Sequence, residues 1–347
     1  MKYNQLGQTE LRVSELCLGT MTFGEQNTEQ EGHDQLDKAV DYGVNFIDTA
    51  EMYSIPPRAE TFGHTETIIG RWFQQRQNRD RIILATKVIG KADDFMPYVR
   101  GGYTRLNQRN IELALNDSLM RLNTDVIDLY QIHWPDRNTN FFGRLGYQHQ
   151  PDDSAAPIEE TLSVLNALVA SGKVRAIGVS NETAWGTMEY LQLSQGGVGP
   201  RIASIQNPYN LLNRSYEVAL AEVSHRETVA LLAYSPLAFG VLSGKYLANQ
   251  QPDNARLTLF PSYQRYSNEM AVKATEAYVN LAEEAGLTSS QMALAFVNSR
   301  SFVAATIIGA TSLEQLQQNL DSTTVDLSDD LIAAIDAIHR KWPNPCP

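Results

Sequence analysis

Short apolar runs alternate with longer stretches in which apolar residues recur every three or four positions, and this alternation covers most of the chain. The runs are ELCLGTM, VNFID, RIILATK, DVIDLYQIH, VRAIGVSN, RIASIQN, TVALLAYS and FVAATIIGA, starting at Glu15, Val44, Arg81, Asp125, Val174, Arg201, Thr228 and Phe302. Runs that are apolar on both faces belong to strands buried on both sides, as in a parallel sheet. The intervening NIELALNDSLMRL and IEETLSVLNALVASGKV carry helical spacing, with Asn123 and Gly172 as stop signals. Eight strand–helix units predict an α/β fold, a closed (β/α)8 TIM barrel whose strands all point the same way. The chain is thus read as a single domain over 1–347. Its opening segment predicts a small N-terminal β-hairpin across the barrel bottom. LSDDLIAAIDAIHRKW predicts an extra C-terminal helix capped by Ser328, and PNPCP is read as a loose tail. Two connections, Trp134 to Pro157 and Leu247 to about Asn268, exceed ordinary loop length and follow strand ends, so both should overhang one face.

In such a barrel the active site lies at the carboxyl ends of the strands. The residues there are Gly19 and Thr20, Asp48, Lys87, His133, Ser180 and Asn181, Gln206 and Asn207, Tyr234 and Ser235, and Gly309. An acid, a lysine and a histidine end three consecutive runs, and Tyr53 follows Asp48 on the next loop. Any one polar strand end is most simply a place where the chain meets water; the combination is harder to dismiss. A phenol is a weak proton donor at neutral pH because its ordinary pKa is about 10. A neighbouring ammonium favours the phenolate, so Lys87, held by Asp48, is expected to lower the Tyr53 pKa. His133 would orient a carbonyl oxygen by hydrogen bonding. No nucleophile with an adjacent base and no HExxH motif is present, which argues against a serine triad or zinc hydrolysis. A proton donor aimed at a carbonyl oxygen suits carbonyl reduction, with the hydride coming from elsewhere.

Composition narrows the partners. Of the 347 residues 43% are apolar and 20% charged, an ordinary globular mixture, and the net charge of −12 disfavours a phosphate backbone. No apolar run approaches the roughly 18 residues of a membrane span. Cys17 and Cys346, at opposite ends, make neither a CxxC nor a metal-spaced set, as in a reducing compartment. His33, His64, His149 and His225 show no ligand spacing either. The expectation is a cytoplasmic protein with a small-molecule carbonyl substrate, no nucleic-acid or membrane partner and no bound metal. Nothing in the sequence sets its oligomeric state.

The segments LGTMTFG, FIDTAEMY, ATKV, DLYQIHWPD, IGVSN, IQNPYNLLNR, YSPLAFGVLSGKY and IIGATSLEQLQQN, in this order, resemble those of the aldo-keto reductases, over about Lys2 to Trp342. Within that family GTMTFGEQN, IPPRAET and FFGRLGY resemble the bacterial Tas-like branch. The resemblance implies a NADPH-dependent oxidoreductase that reduces aldehydes and ketones, with a tetrad of Asp48, Tyr53, Lys87 and His133 and with Tyr53 as the proton donor. It implies that NADP(H) is held by Gly19, Thr20, Met21 and Asp48, and that Ser180, Asn181 and Gln206 meet the carboxamide. Tyr234 would stack on the nicotinamide. Ser235, Pro236, Leu237, Gly240, Leu242, Gly244 and Lys245 would wrap the pyrophosphate. Gly309, Thr311, Gln315, Gln318 and Asn319 would hold the adenosine end. Many relatives carry a basic residue there to grip the 2′-phosphate. None lies between Gly309 and Asn319, and the implied phosphate contact passes to Arg256. GVLSGK is one residue too short between its glycines for a Walker loop, and GxGxxG is absent.

Met52, Trp134 and Phe239 are the candidate substrate wall, with Phe141, Phe142 and Tyr147 as loop aromatics that pack on their scaffold at least as often. Glu51, Glu60 and Glu66 are read as including solvated charges. An NADP(H)-binding redox sensor with little turnover is the alternative function, and the intact tetrad favours the enzyme.

Overall fold

All eight apolar runs become barrel strands in the computed structural model, which describes residues 1–151 and 154–347. A hairpin of β1 (Tyr3–Gln5) and β2 (Arg12–Ser14) precedes them. The barrel strands are β3 (Leu16–Gly19), β4 (Phe46–Asp48), β5 (Ile83–Val88), β6 (Ile127–Ile132), β7 (Val174–Ser180), β8 (Ile202–Pro208), β9 (Ala230–Tyr234) and β10 (Val303–Ile308). They pair in parallel, in chain order, and β10 closes the ring by pairing with both β9 and β3. In this register Lys87 lies beside Gln131 and Ser180 beside Gln206, so polar groups of β5 to β8 gather near the carboxyl ends of their strands.

The hairpin closes the bottom. Leu6, Leu11 and Val13 pack against inward residues such as Cys17, Phe46, Ala85 and Leu129. Gly7 makes the approach close: it has φ +56°, and a Cβ there would sit 2.4 Å from the Ala203 carbonyl oxygen. No L side chain fits that space without moving the barrel wall.

The helices outside are α1 (Glu29–Tyr42), α2 (His64–Arg76), α3 (Gln108–Leu122), α4 (Ile158–Ala170), α5 (Ala184–Gln195), α6 (Leu220–Glu227), the short α7 (Arg256–Leu259), α8 (Glu269–Glu284), α9 (Ser289–Asn298), α10 (Leu313–Asp321) and α11 (Asp329–Lys341). Their ends follow local chemistry. Thr28 and Glu31 form a capping box on α1, Asn123 stops α3 in the left-handed conformation, and Ser328 caps α11 through the Leu331 N–H. The stop at Gly172 lies two residues beyond the observed end of α4, because the chain already turns there toward β7. Among the described residues no helix is long and apolar enough to cross a membrane.

One expectation is corrected and another is narrowed. The tail PNPCP is not loose: the Cys346 N–H donates to the Leu212 carbonyl (3.1 Å), the Asn268 amide to the Pro345 carbonyl (2.8 Å), and the Arg214 N–H to the Asn344 side chain (2.6 Å). It is pinned because these loop groups need partners and the tail supplies them. Glu51 and Glu66 are not solvated, being 1% and 0% exposed. Each is buried against an arginine, Arg100 and Arg121 respectively, which offsets the cost of removing the carboxylate from water. Glu60 alone of the three is exposed.

Candidate active site

Asp48 ends β4, Lys87 lies in β5, and His133 directly follows β6, so three strands bring these side chains to one level of the barrel mouth. Tyr53 reaches the same place from the β4–α2 loop. That loop turns back at Ala50–Tyr53, is tied by the Ile55 N–H to the Met21 carbonyl (2.9 Å), and includes cis peptides at Tyr53–Ser54 and Ile55–Pro56. The Lys87 ammonium is fully buried and donates to Asp48 Oδ2 at 2.6 Å, to the Thr49 carbonyl at 2.7 Å and to the Tyr53 hydroxyl at 3.4 Å. Its three N–H groups are all used.

The electrostatics follow from this burial. Desolvation alone would lower the Lys87 pKa, but Asp48 and Tyr53 outweigh it and the group is raised above the usual lysine value. The Tyr53 phenol also moves up: burial dominates, and the opposing pull of Lys87 is smaller. The sequence-based expectation of a lowered phenol pKa is therefore overturned. Taking the phenolate out of water costs more than the ammonium 3.4 Å away returns, and the Asp48 carboxylate adds a smaller push in the same direction as burial. His133 is pushed well below the ordinary histidine value by burial and then by Lys87, which leaves a neutral imidazole at neutral pH. Its Nδ1 is buried without a partner among the described residues. A proton there would be an unpaired buried donor, so the tautomer protonated on Nε2 is favoured.

Beneath this set, Asp48 Oδ1 accepts from the side-chain amides of Gln206 (2.8 Å) and Gln131 (3.1 Å). Across the mouth, the Tyr234 hydroxyl donates to Asn181 Oδ1 (2.6 Å), the Asn181 amide donates to the His133 carbonyl (2.9 Å), and the Ser180 hydroxyl donates to the Gln206 carbonyl (2.7 Å). Thr20 is tied to the Asp48 carbonyl through Oγ1 (2.9 Å), and Gly19 lies where a Cβ would meet the Ile307 side chain at 2.8 Å.

The loop after β9 winds through left-handed positions at Ser235, Ala238, Phe239, Gly240 and Gly244, around buried Pro236 and Leu242 and half-buried Leu237. It brings Lys245 over Gly240, whose imagined Cβ would lie 3.0 Å from the ammonium. Burial holds both Lys245 and Arg256 below their usual values, and Arg256 lowers Lys245 further. Neither has a carboxylate ion-pair partner among the described residues; Arg256 instead rests on Met21 Sδ (3.5 Å) and over the Phe239 ring (5.0 Å). Two half-buried cations without a counter-ion form a natural seat for an anion. At the start of α10, Gln315 accepts from the Thr311 N–H and hydroxyl (both 3.1 Å), and Asn319 donates to the Gly309 carbonyl (3.2 Å). Gln318 is exposed.

The candidate substrate-wall residues fall in two apolar clusters. Met52 and Trp134 share an apolar cluster beside Tyr53, and Trp134 packs on His133 with ring centroids 4.9 Å apart. Phe239, on the loop after β9, packs on Tyr266. A cavity of about 570 Å³ opens beyond Trp134, lined also by Phe95, Phe141 and Phe142. Tyr147 is 58% exposed and pairs with His149. Gln131, which bonds to Asp48, and Arg100, which binds Glu51, were not singled out; the one available signal was a glutamine inside the apolar run DVIDLYQIH.

The barrel and this constellation define a protein class, and the chain belongs to the aldo/keto reductase family, whose family model matches residues 15–340. It is 51% identical to "Protein tas" of Escherichia coli over 347 residues, covering all of both chains. It is 38% identical over 281 residues to "Aldo-keto reductase" of Babesia bovis, covering 76% of this chain and 98% of that one. It is 31% identical to "Probable voltage-gated potassium channel subunit beta" of Arabidopsis thaliana, covering 94% of this chain and 92% of that one. The general activity is that of an oxidoreductase.

Proposed function

We propose that the protein is an NADP(H)-dependent reductase of aldehydes and ketones, with Tyr53 as general acid. The observation that carries the reading is the buried Lys87 ammonium, shared among Asp48, Thr49 and Tyr53. Because Lys87 donates to the phenol oxygen, the Tyr53 O–H is directed away from Lys87, toward a substrate oxygen in the mouth. The neutral His133, protonated on Nε2, donates a second hydrogen bond to the same oxygen and orients the carbonyl. The buried phenol keeps its proton until the oxygen develops charge, then transfers it, while Lys87 and Asp48 stabilise the phenolate left behind.

NADP(H), when bound, supplies the hydride. The residues present fit it: Lys245 and Arg256 form an uncompensated cationic seat for its phosphates, and left-handed Gly240 lets the backbone approach. Ser180, Asn181 and Gln206 offer polar groups for the carboxamide, Tyr234 an aromatic face, and Thr311, Gln315 and Asn319 line the turn where the adenosine end is placed. Lys245→Met is expected to weaken NADPH binding by about tenfold, as loss of one charge-assisted hydrogen bond, with the smaller effect at high salt that screening of a half-exposed site implies; fluorescence titration at two salt concentrations checks this.

The direct test is the purified protein with a panel of activated aldehydes and ketones, using NADPH and NADH in parallel. Turnover with preference for NADPH is expected. Tight NADPH binding without turnover across the panel would replace the enzyme by a redox sensor.

A further inference from the structure

Gln131 is the next-to-last residue of β6, is fully buried, and joins two groups that the proposed chemistry assigns to different tasks. Its Nε2 is 3.1 Å from Asp48 Oδ1, and its Oε1 is 3.2 Å from Gln206 Nε2. Gly178, its neighbour across the ladder, leaves room for this reach, since a Cβ there would press on the Gln131 side chain at 3.3 Å.

The polarity of the three groups is dictated by Asp48. Its carboxylate, ion-paired with Lys87, can only accept, so both glutamines must turn their NH2 groups toward it. Once Gln131 has done so, its carbonyl faces Gln206. The two N–H groups of Gln206 are then consumed, one on Asp48 Oδ1 at 2.8 Å and one on Gln131 Oε1 at 3.2 Å. The Gln206 amide has only its carbonyl oxygen left for a ligand.

We propose that Gln131 is a positioning residue that fixes the Gln206 amide as an acceptor, and thereby makes the site select a head group that donates an N–H. This rests on the reading that Gln206 meets the carboxamide of a nicotinamide. A carboxamide supplies that N–H; an acetyl group of nearly the same shape puts a methyl in its place. Without Gln131, one N–H of Gln206 is released and the amide can turn a donor toward the site, so the distinction between the two head groups fades.

The test is equilibrium binding of NADP+ and of its 3-acetylpyridine analogue to the full chain, wild type and Gln131→Leu, with Gln131→Met as a second variant if the first does not fold. The wild type is expected to prefer the carboxamide by about tenfold, the cost of leaving one buried acceptor unpaired. In either variant the preference should fall to about twofold or less. An unchanged ratio, or an equal loss of affinity for both ligands as a purely structural role would give, overturns the inference while leaving the proposed function intact. A wild type that binds neither compound overturns the nicotinamide reading itself.

Discussion

Tyr53→Phe is expected to lower kcat for carbonyl reduction by about 10²- to 10⁴-fold, the range in which a positioned general acid acts, while the dissociation constant for NADPH stays near the wild-type value. Phenylalanine keeps the ring that packs edge-on against His133, at 5.8 Å and 78°, and removes only the hydroxyl that takes a hydrogen bond from Lys87. Steady-state rates with the most active substrate, together with a binding titration, separate the two quantities. Undiminished turnover would remove Tyr53 from the mechanism. The wild-type pH profile carries a sign of its own. Burial raises the Tyr53 pKa above its usual value, so the acid form is fully present through neutrality. Reduction should be flat there and decline only at alkaline pH, as the phenol loses its proton. A decline centred below neutrality, on the acid side of the profile, would point to a different group.

Glu51→Gln should destabilise the fold by about 3 kcal/mol or more, because removing one partner of a buried ion pair strands the other charge. Glu51 binds Arg100 through both carboxylate oxygens, at 2.6 and 3.1 Å, and also accepts from the Ile89 N–H at 2.9 Å. With Arg100 at φ +47° and its side chain only 9% exposed, the guanidinium has little freedom to escape to water. Urea denaturation of both proteins checks the size, and a change of under about 1 kcal/mol would place the pair with ordinary surface bridges. The pair joins the segment that carries Tyr53 to the end of β5 and to the loop holding Arg100. Any loss of activity in this variant should therefore recover at low temperature, where the fold is restored.

The barrel was legible because each of its strands is a bounded apolar run, and both-face burial is written directly into such runs. The tetrad was legible for a related reason: a parallel barrel places all strand carboxyl ends together, so residues distant in sequence could be compared as one set. Gln131 escaped that logic because its apolar run ends at His133, two residues on, and a single glutamine does not reveal which polar group it faces. Which of Glu51, Glu60 and Glu66 is solvated was not legible, because a glutamate in a polar segment looks the same whether it meets water or an arginine from elsewhere in the chain. The direction of the Tyr53 shift depended on how deeply the phenol is buried, which outweighs the Lys87 ammonium and which a loop position in the sequence does not show. The tail reads as loose in the sequence, although the groups that hold it, Leu212, Asn268 and Arg214, belong to segments far from it in the chain.

The full commitment of the Lys87 N–H groups bears on chemical compatibility as well as on proton supply. Aldehydes readily condense with free amines to give imines, and a lysine beside an aldehyde pocket would ordinarily be at risk of that self-modification. Condensation requires a nitrogen lone pair. Lys87 is protonated, raised above its usual pKa, and turned toward three oxygens of the protein, so no nucleophilic nitrogen faces the mouth. The bonds that anchor this side chain would also keep it inert toward a carbonyl compound bound in the mouth.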